Sequence, residues 1–422
     1  MTNKSKKGIH YAWVVLLGVA IMMGFARGGL NNATGLFLTP VSDDLGMSLS
    51  SLSLYVSIMS IVTMIFLPFA GKLIAKADIR IILIVGVIFH AGAFAAMGFM
   101  NSVWGWYLLA IPCAIGYVIV AQIAGPVIIN NWFKKSKGLA LGIMMATVGA
   151  FGAFIAPWIG NLIANEGWRS AYTTSGLVLG VGAIIVIVLF IRFAPGNKGA
   201  YGADEVNESD ADAATANEEA NKGIASTIAK KSPAFFSLMA FFFFLTSVAA
   251  FAQHVPTFAI TKGFDTAFGG TLMGLFMVGL LIGSLTFGFL ADKIGAKGTT
   301  FVALTSGLVT FVIFLLFGEV KSMIMLGAII FGFLSSSIGT LGPLLTISLF
   351  GNKNYADIYA TASVGLAVAG IVALPLYSLI KDLTDSYTIV IIAIIVMIVI
   401  SMLLITVAFK QKDKLVKQGH WN

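Results

Sequence analysis

The chain has 422 residues, of which 58% are hydrophobic and only 10% charged, with a formal net charge of +8. Soluble domains carry roughly 25% charged residues, so this composition, with a mean hydropathy of +0.96, excludes a water-soluble globular protein. What it leaves is a chain of apolar runs, each to be measured against the ~20 residues that cross ~30 Å of hydrocarbon at 1.5 Å per residue.

Such runs recur at 11–39, 51–71, 80–100, 104–131, 138–163, 170–193, 234–260, 268–291, 299–317, 322–349, 357–380 and 386–409. They predict an all-α polytopic membrane protein with twelve transmembrane helices. The runs are too long and too uniformly apolar for an outer-membrane barrel. The first follows Lys4, Lys6 and Lys7 in the manner of a signal peptide. It runs well past a 7–15-residue signal core and lacks a small-residue cleavage site, so a retained helix is expected.

That first run contains Arg27, and every other Lys, Arg, Asp or Glu falls outside the predicted spans or within two residues of their ends. A charge at bilayer depth costs from ~3 to more than 10 kcal/mol, so such residues are ordinarily functional. Arg27 and Asn31 stand one helical turn apart, with Gly24, Gly28 and Gly35 leaving space nearby. A guanidinium grips a carboxylate through two parallel hydrogen bonds, which makes Arg27 the leading candidate for substrate contact. The alternative is a structural pin, bonded to backbone carbonyls or reaching for an interface.

Further along, Tyr55, Tyr117, Tyr359 and Tyr377 are candidates to line a cavity with amphipathic rings, and Gln122 and Gln253 to offer hydrogen bonds. His90 and His254 are the intramembrane groups whose ordinary titration lies near neutrality. His254 joins the candidate site, although an isolated intramembrane histidine more often packs helices together. The single Cys113 forms no intrachain disulfide, so the fold needs no oxidising compartment.

From Pro195 to Ser232 the chain turns polar, with seven acids among Ala, Asn and Gly. A solvated tether is expected there, dividing the chain into an N-terminal six-helix bundle (1–194), a cytoplasmic linker (195–232) and a C-terminal bundle with a tail (233–422). The two halves match at a nearly constant offset. Gly125-Pro126 corresponds to Gly342-Pro343 and Gly71 to Gly288 at 217, and Gly152 and Pro157 to Gly370 and Pro375 at 218. Parallel repeats of this kind place a site at their interface near the bilayer midplane.

With both termini cytoplasmic, 21 Lys and Arg residues face inside and four face outside, at Arg169, Lys262, Lys321 and Lys381. That bias predicts a cytoplasmic-membrane protein with its termini inside. The positive charge then meets anionic membrane lipid, not nucleic acid.

The segment after the eighth span, with Gly288, Leu290, Asp292, Lys293, Gly295 and Lys297, resembles the signature loop of the major facilitator superfamily. The first-half copy keeps Gly71, Leu73, Lys76 and Arg80 but has Ala75 where the acid belongs and Asp78 where the glycine belongs. Gly71, Arg80, Gly288, Asp292, Lys293, Gly295 and Lys297 are therefore implied as gating residues. Within the superfamily, Gly35-Leu36-Phe37 through Pro40, Asp44 to Ser48, and Trp132-Phe133-Lys134-Lys135 with Gly138 to Gly142 resemble the oxalate/formate antiporter and monocarboxylate transporter group. That resemblance implies a cation in helix eight or eleven. Here Ser284 stands near the first position, and no cation precedes Lys381 in the eleventh span, which leaves Arg27 to hold an anion.

The expected function is transport of a small mono- or dicarboxylate by alternating access, as an anion exchanger or as a proton-linked symporter. All 18 acids fall outside the spans or at their ends, so no buried carboxylate relay is expected. The alternatives are a carrier of neutral or amphipathic compounds, including drug efflux, and a non-transporting receptor. No phosphate loop, paired intramembrane acids or metal-ligand cluster is present in the sequence, so neither an enzyme, a metal site nor a cofactor is expected. The charge bias is tested with cysteines placed one at a time in a background lacking Cys113. Ser209→Cys and Val416→Cys should resist an impermeant thiol reagent on intact cells while Thr266→Cys reacts, and labelling at position 209 would reverse the orientation.

Overall fold

The computed structural model describes residues 10–421 except 77, 134–135, 196–198 and 202–221. Lys4, Lys6, Lys7, Lys134, Lys135, Ser209 and the acidic run of the expected linker lie outside the described residues. Within these, ten helices are long and apolar enough to cross a membrane, and two are of double length, Lys137–Phe190 and Thr266–Phe317. Either would extend about 80 Å if straight, more than twice the hydrocarbon thickness. Each is instead broken at a glycine with left-handed φ, Gly167 at 81° and Gly295 at 72°, giving twelve crossings.

We label these α1 (Tyr11–Leu45), α2 (Leu49–Ala70), α3 (Ile79–Met97), α4 (Val103–Trp132), α5 (137–166), α6 (168–190), α7 (Pro233–Thr261), α8 (266–294), α9 (296–317), α10 (Lys321–Phe350), α11 (Asp357–Thr384) and α12 (Thr388–Lys417). Local chemistry sets several starts. Ser232 and Asp265 accept hydrogen bonds from the backbone of Phe235 and Phe268, capping α7 and α8, and Pro233 occupies a first-turn position where its missing N–H costs nothing.

The expected tether is bound at both of its described ends. Tyr201 donates its backbone N–H to Trp132 O at 2.8 Å and packs its ring on Trp13 and Phe133. Ile224, fully buried, donates to Phe350 O at 2.8 Å, and Lys230 pairs with Asp357 at 2.6 Å. Residues 222–232 thus belong to the packed rim of the second half, because apolar residues such as Ile224 and Ala229 break the polar composition there.

An even number of crossings puts the start of α1 and the end of α12 at one end of the bundle, here the terminal end; the opposite end is distal. At the distal end the two halves meet closely. Thr39 donates to Thr257 at 2.8 Å, Thr34 donates to Gln253 Oε1 at 2.7 Å, and the backbone N–H of Ser50 donates to Asp382 at 2.8 Å. Thr39 and Thr257 are 218 residues apart, the repeat offset, so equivalent positions meet one another where α1 crosses α7. Toward the terminal end the seam opens: nothing lies within 4 Å of the side-chain positions of Gly138 and Gly142 on α5 or Gly288 on α8.

Two prolines shape the seams. Pro375 lacks the N–H that would bond Ile371 O four residues earlier, and a carbonyl left bare in hydrocarbon is costly. Ser57 of α2 donates to that oxygen from the opposite half, and Ser60 donates to Gly370 O at 3.1 Å. Pro157, the repeat mate of Pro375, likewise frees Ala153 O on α5. The residue facing it is Gly274, the repeat mate of Ser57, where an added Cβ would lie 2.8 Å from that oxygen. One seam is closed by a hydroxyl and the other by bare backbone.

Replacing Ser57 by Ala should cost the distal closure ~1 kcal/mol, the net value of a typical hydrogen bond, or about a fivefold shift toward distal opening. A cysteine at Thr39, in a background lacking Cys113, should then label several-fold faster from the distal side. An unchanged rate would show that the bond does not contribute to closure.

Candidate functional site

A cavity of about 640 Å³ lies between α1, α2, α4, α7 and α11. One wall is polar, formed by Asn31, Thr34, Tyr117, Gln122 and Gln253. The other is largely apolar, formed by Val56, Met59, Met64 and Leu67 of α2 with Val364, Leu366 and Ala367 of α11; Ser60, Thr63 and Ser363 are set among them. Among the described residues no ionised side chain lines it. The polar wall gathers four residues expected from sequence, Asn31, Tyr117, Gln122 and Gln253, from three helices. Ser60, Thr63 and Ser363 carry no sequence signal beyond being small hydroxyls in apolar runs.

Arg27 stands one turn before Asn31 on α1. The segment Gly24–Asn31 is π-helical, so Asn32 N–H bonds back to Arg27 O, five residues earlier, at 3.2 Å. In such a turn positions i+4 and i+5 flank position i. Arg27 therefore lies on the arc between Asn31, which lines the cavity, and Asn32, whose amide donates to Met277 Sδ of α8 at 3.4 Å. Its side chain is half-buried, and among the described residues no ion pair or hydrogen bond engages its guanidinium. The close approach of α1 to α5 behind it requires Gly28, where a Cβ would meet Val148 O at 2.4 Å.

His90 braces this segment. Its Nε2 lies 3.3 Å from Ala26 O and its Nδ1 lies 3.1 Å from Cys113 O, joining α1, α3 and α4. Ala26 O belongs to the π-helical stretch, whose irregular ladder leaves carbonyls available. His254 packs likewise: Nδ1 is 2.8 Å from the Tyr387 hydroxyl and Nε2 is 3.2 Å from Leu374 O. Fully buried, it ties α7 to α11 and to the start of α12 and does not face the cavity.

The remaining aromatic candidates also lie elsewhere. Tyr55 is 1% exposed, inside the first half. Tyr359 stacks on Tyr355 at 5.5 Å and packs edge-on to Phe242. Tyr377 donates to Ser247 O at 2.9 Å within the second half. In a helix apolar on every side, sequence alone does not say which face meets the cavity.

The two signature loops differ. Gly295 separates α8 from α9 in the left-handed region, which favours glycine. Its first-half counterpart, Asp78, has φ −59° and caps α3 by accepting from Arg80 N–H at 2.9 Å, so no glycine is needed there. Arg80 donates through Nε to Ile191 O at 2.9 Å, fixing α3 to the end of α6. Gly71 lies in the helical continuation of α2, Leu49–Lys76. Lys293 sits 4.5 Å from the Phe289 ring and Lys297 5.5 Å from the Phe409 ring. Among the described residues Asp292, Lys293 and Lys297 form no ion pair, in keeping with a seam that is open at this end.

The model of the Major Facilitator Superfamily matches residues 16–374. The oxalate:formate antiporter of Oxalobacter formigenes is 27% identical over 317 residues, 74% of this chain and 71% of that protein. Monocarboxylate transporter 1 of Bos taurus is 28% identical over 171 residues, 40% of this chain and 34% of its own length. A bacterial homolog of the human lysosomal transporter Spinster, inward-facing and unoccupied, superposes with a TM-score of 0.67 at 14% identity, covering 96% of this chain and 98% of that one. The nucleoside transporter NupG gives 0.68 at 11% identity, covering 94% and 99%. These two structures share the fold with this chain.

Gly295→Ala should lower stability by ~1–3 kcal/mol, the cost of holding an L-residue at φ 72° and ψ 165°, a conformation essentially confined to glycine. Asp78→Ala should cost ~1 kcal/mol through the lost cap, whereas Asp78→Gly should cost only a few tenths. Thermal melting of the detergent-solubilised variants ranks the three, and a harmless Gly295→Ala would contradict the backbone reading.

Proposed function

The chain belongs to the major facilitator superfamily, and we propose that within it this multi-pass transporter exchanges small organic monoanions, carboxylates with a short apolar body. The observation that carries this reading is the unpaired Arg27 beside a neutral cavity. A guanidinium withdrawn from water without a counter-charge is destabilising, and an arriving carboxylate supplies the partner. Arg27 is the single ionised residue away from the ends of the sequence-predicted spans, so the second carboxylate of a dianion would go uncompensated. The apolar wall of Met59, Met64, Leu67, Val364 and Leu366 suits the body of the ligand.

Exchange follows from the same charge count. An empty carrier would have to close around an unpaired Arg27, whereas a loaded one closes around a neutral pair. The name of the oxalate:formate antiporter agrees with carboxylate exchange and that of monocarboxylate transporter 1 with a monoanion; formate fits the single positive charge, whereas oxalate, a dianion, does not. The excess of 21 cations over four supports a cytoplasmic terminal end, and on that orientation the open seam faces inward. A second reading, transport of neutral amphipathic compounds, is favoured by the absence of ionised side chains from the cavity lining.

The test is thermal stabilisation of the purified protein by butyrate and benzoate, by the matching amides, and by succinate. The monocarboxylates should stabilise most. Arg27→Ala should weaken their binding by about 2–5 kcal/mol, and Arg27→Lys should restore part, keeping the charge without the planar fork. Amides binding as well as acids would favour the second reading. Misfolding of the Ala variant with full recovery by Lys would make Arg27 a structural pin.

A further inference from the structure

We infer that the headgroup of an anionic phospholipid binds at the terminal end, in a cavity between the turn at Ser226–Ala229, the start of α7 and the last turns of α12. The cavity measures about 540 Å³ and presents the ammonium groups of Lys231 and Lys414 with the hydroxyl of Thr227 and the amides of Gln411 and Gln418. Among the described residues no acidic side chain lines it. Neighbouring cations are engaged: Lys230 pairs with Asp357 at 2.6 Å and Lys412 sits 5.0 Å over the Trp421 ring. Among the described residues Lys231 and Lys414 have no such partner. Two uncommitted point charges surrounded by neutral donors match a phosphodiester, which brings charge and several acceptor oxygens together.

The position selects a lipid over a free anion. As a helix of 30 residues, α12 is about 45 Å long, longer than the ~30 Å of hydrocarbon. Its apolar run ends at Phe409, which brings Gln411, Lys414 and Gln418 to headgroup level. On the membrane side of the cavity α7 and α12 expose Phe236, Leu403 and Val407 at 54%, 61% and 42%, apolar surface along which acyl chains can lie. Trp421, an interfacial residue type, stands close by on Lys412. The site lies on the rim, outside the central cavity, and is independent of which substrate is carried.

The test compares the full-length protein in detergent micelles doped with phosphatidylglycerol, with phosphatidylcholine, or with inorganic phosphate alone. Lipid retention is counted by native mass spectrometry and stability by thermal melting. The parent should retain phosphatidylglycerol over phosphatidylcholine and gain stability from it. Lys231→Gln with Lys414→Gln should reduce that preference about tenfold, each single change less, with melting in phosphatidylcholine unchanged. The charge-matched pair Lys222→Gln with Lys353→Gln should keep the preference. Equal loss in both pairs would reduce the effect to net charge, and an undiminished preference in the first pair would place the lipid elsewhere. Stabilisation by inorganic phosphate equal to that by phosphatidylglycerol would make this a free-anion site. Any of these three results overturns the inference.

Discussion

Hydrocarbon offers a backbone carbonyl no water, so an oxygen that loses its helical donor must find another. Pro375 creates such an oxygen at Ile371 on the face of α11 that meets the other half, and Ser57 supplies the donor. The repeat mate, Pro157, creates the same problem at Ala153, but the facing residue is Gly274, which brings backbone close and no hydroxyl. Opening the α2–α11 seam therefore breaks a hydrogen bond, while opening the α5–α8 seam forfeits chiefly dispersion contacts. A duplicated fold has become energetically asymmetric through one position in each half.

The same rule explains the irregular backbone around Arg27. The π-helical stretch Gly24–Asn31 leaves Ala26 O to His90, whose other nitrogen reaches Cys113 O. The histidine thus holds the segment that presents Arg27 and Asn31, and its burial suits a brace better than an exposed titrating group. A rigidly placed segment matters because the cavity it borders is otherwise neutral, so orientation of a charged ligand would depend on where Arg27 is held.

Much of the architecture was legible in the sequence, because span length and repeat offset are coarse patterns that survive substitution. The twelve runs appear as helices, and the offset of 218 reappears as contact between Thr39 and Thr257. Gln253 was visible as an intramembrane amide, but its bond to Thr34 depends on how two helices cross. Tyr55 and Tyr117 are the same residue type in similarly apolar surroundings. One is enclosed within its own half and the other faces the cavity, because uniformly apolar helices carry no amphipathic signal to say which side faces in. The packed rim at 222–232 was hidden by its adjoining acidic run, although Ile224 was the sign of it. The freed carbonyls were inferable from Pro157 and Pro375; their partners across the seam were not.

The strengths of the contacts divide the molecule into parts that hold and parts that yield. Within the second half Phe251 packs against Phe311, Phe331 and Tyr377 with ring centroids 5.5–6.3 Å apart, and aromatic pairs of this kind add ~0.5–1.5 kcal/mol each to large buried areas. The distal closure rests instead on side-chain bonds at Thr34, Thr39, Ser57, Ser60 and Asp382, each worth about 0.5–1.5 kcal/mol net. Their sum is a few kcal/mol, comparable with the ~1–3 kcal/mol by which a ligand commonly couples two states. A seam much stronger than this would resist any small substrate, and one much weaker would leak. With Asp382 the one ionised partner among them and no ion pair in the set, these contacts keep the closure within the range that binding can tip.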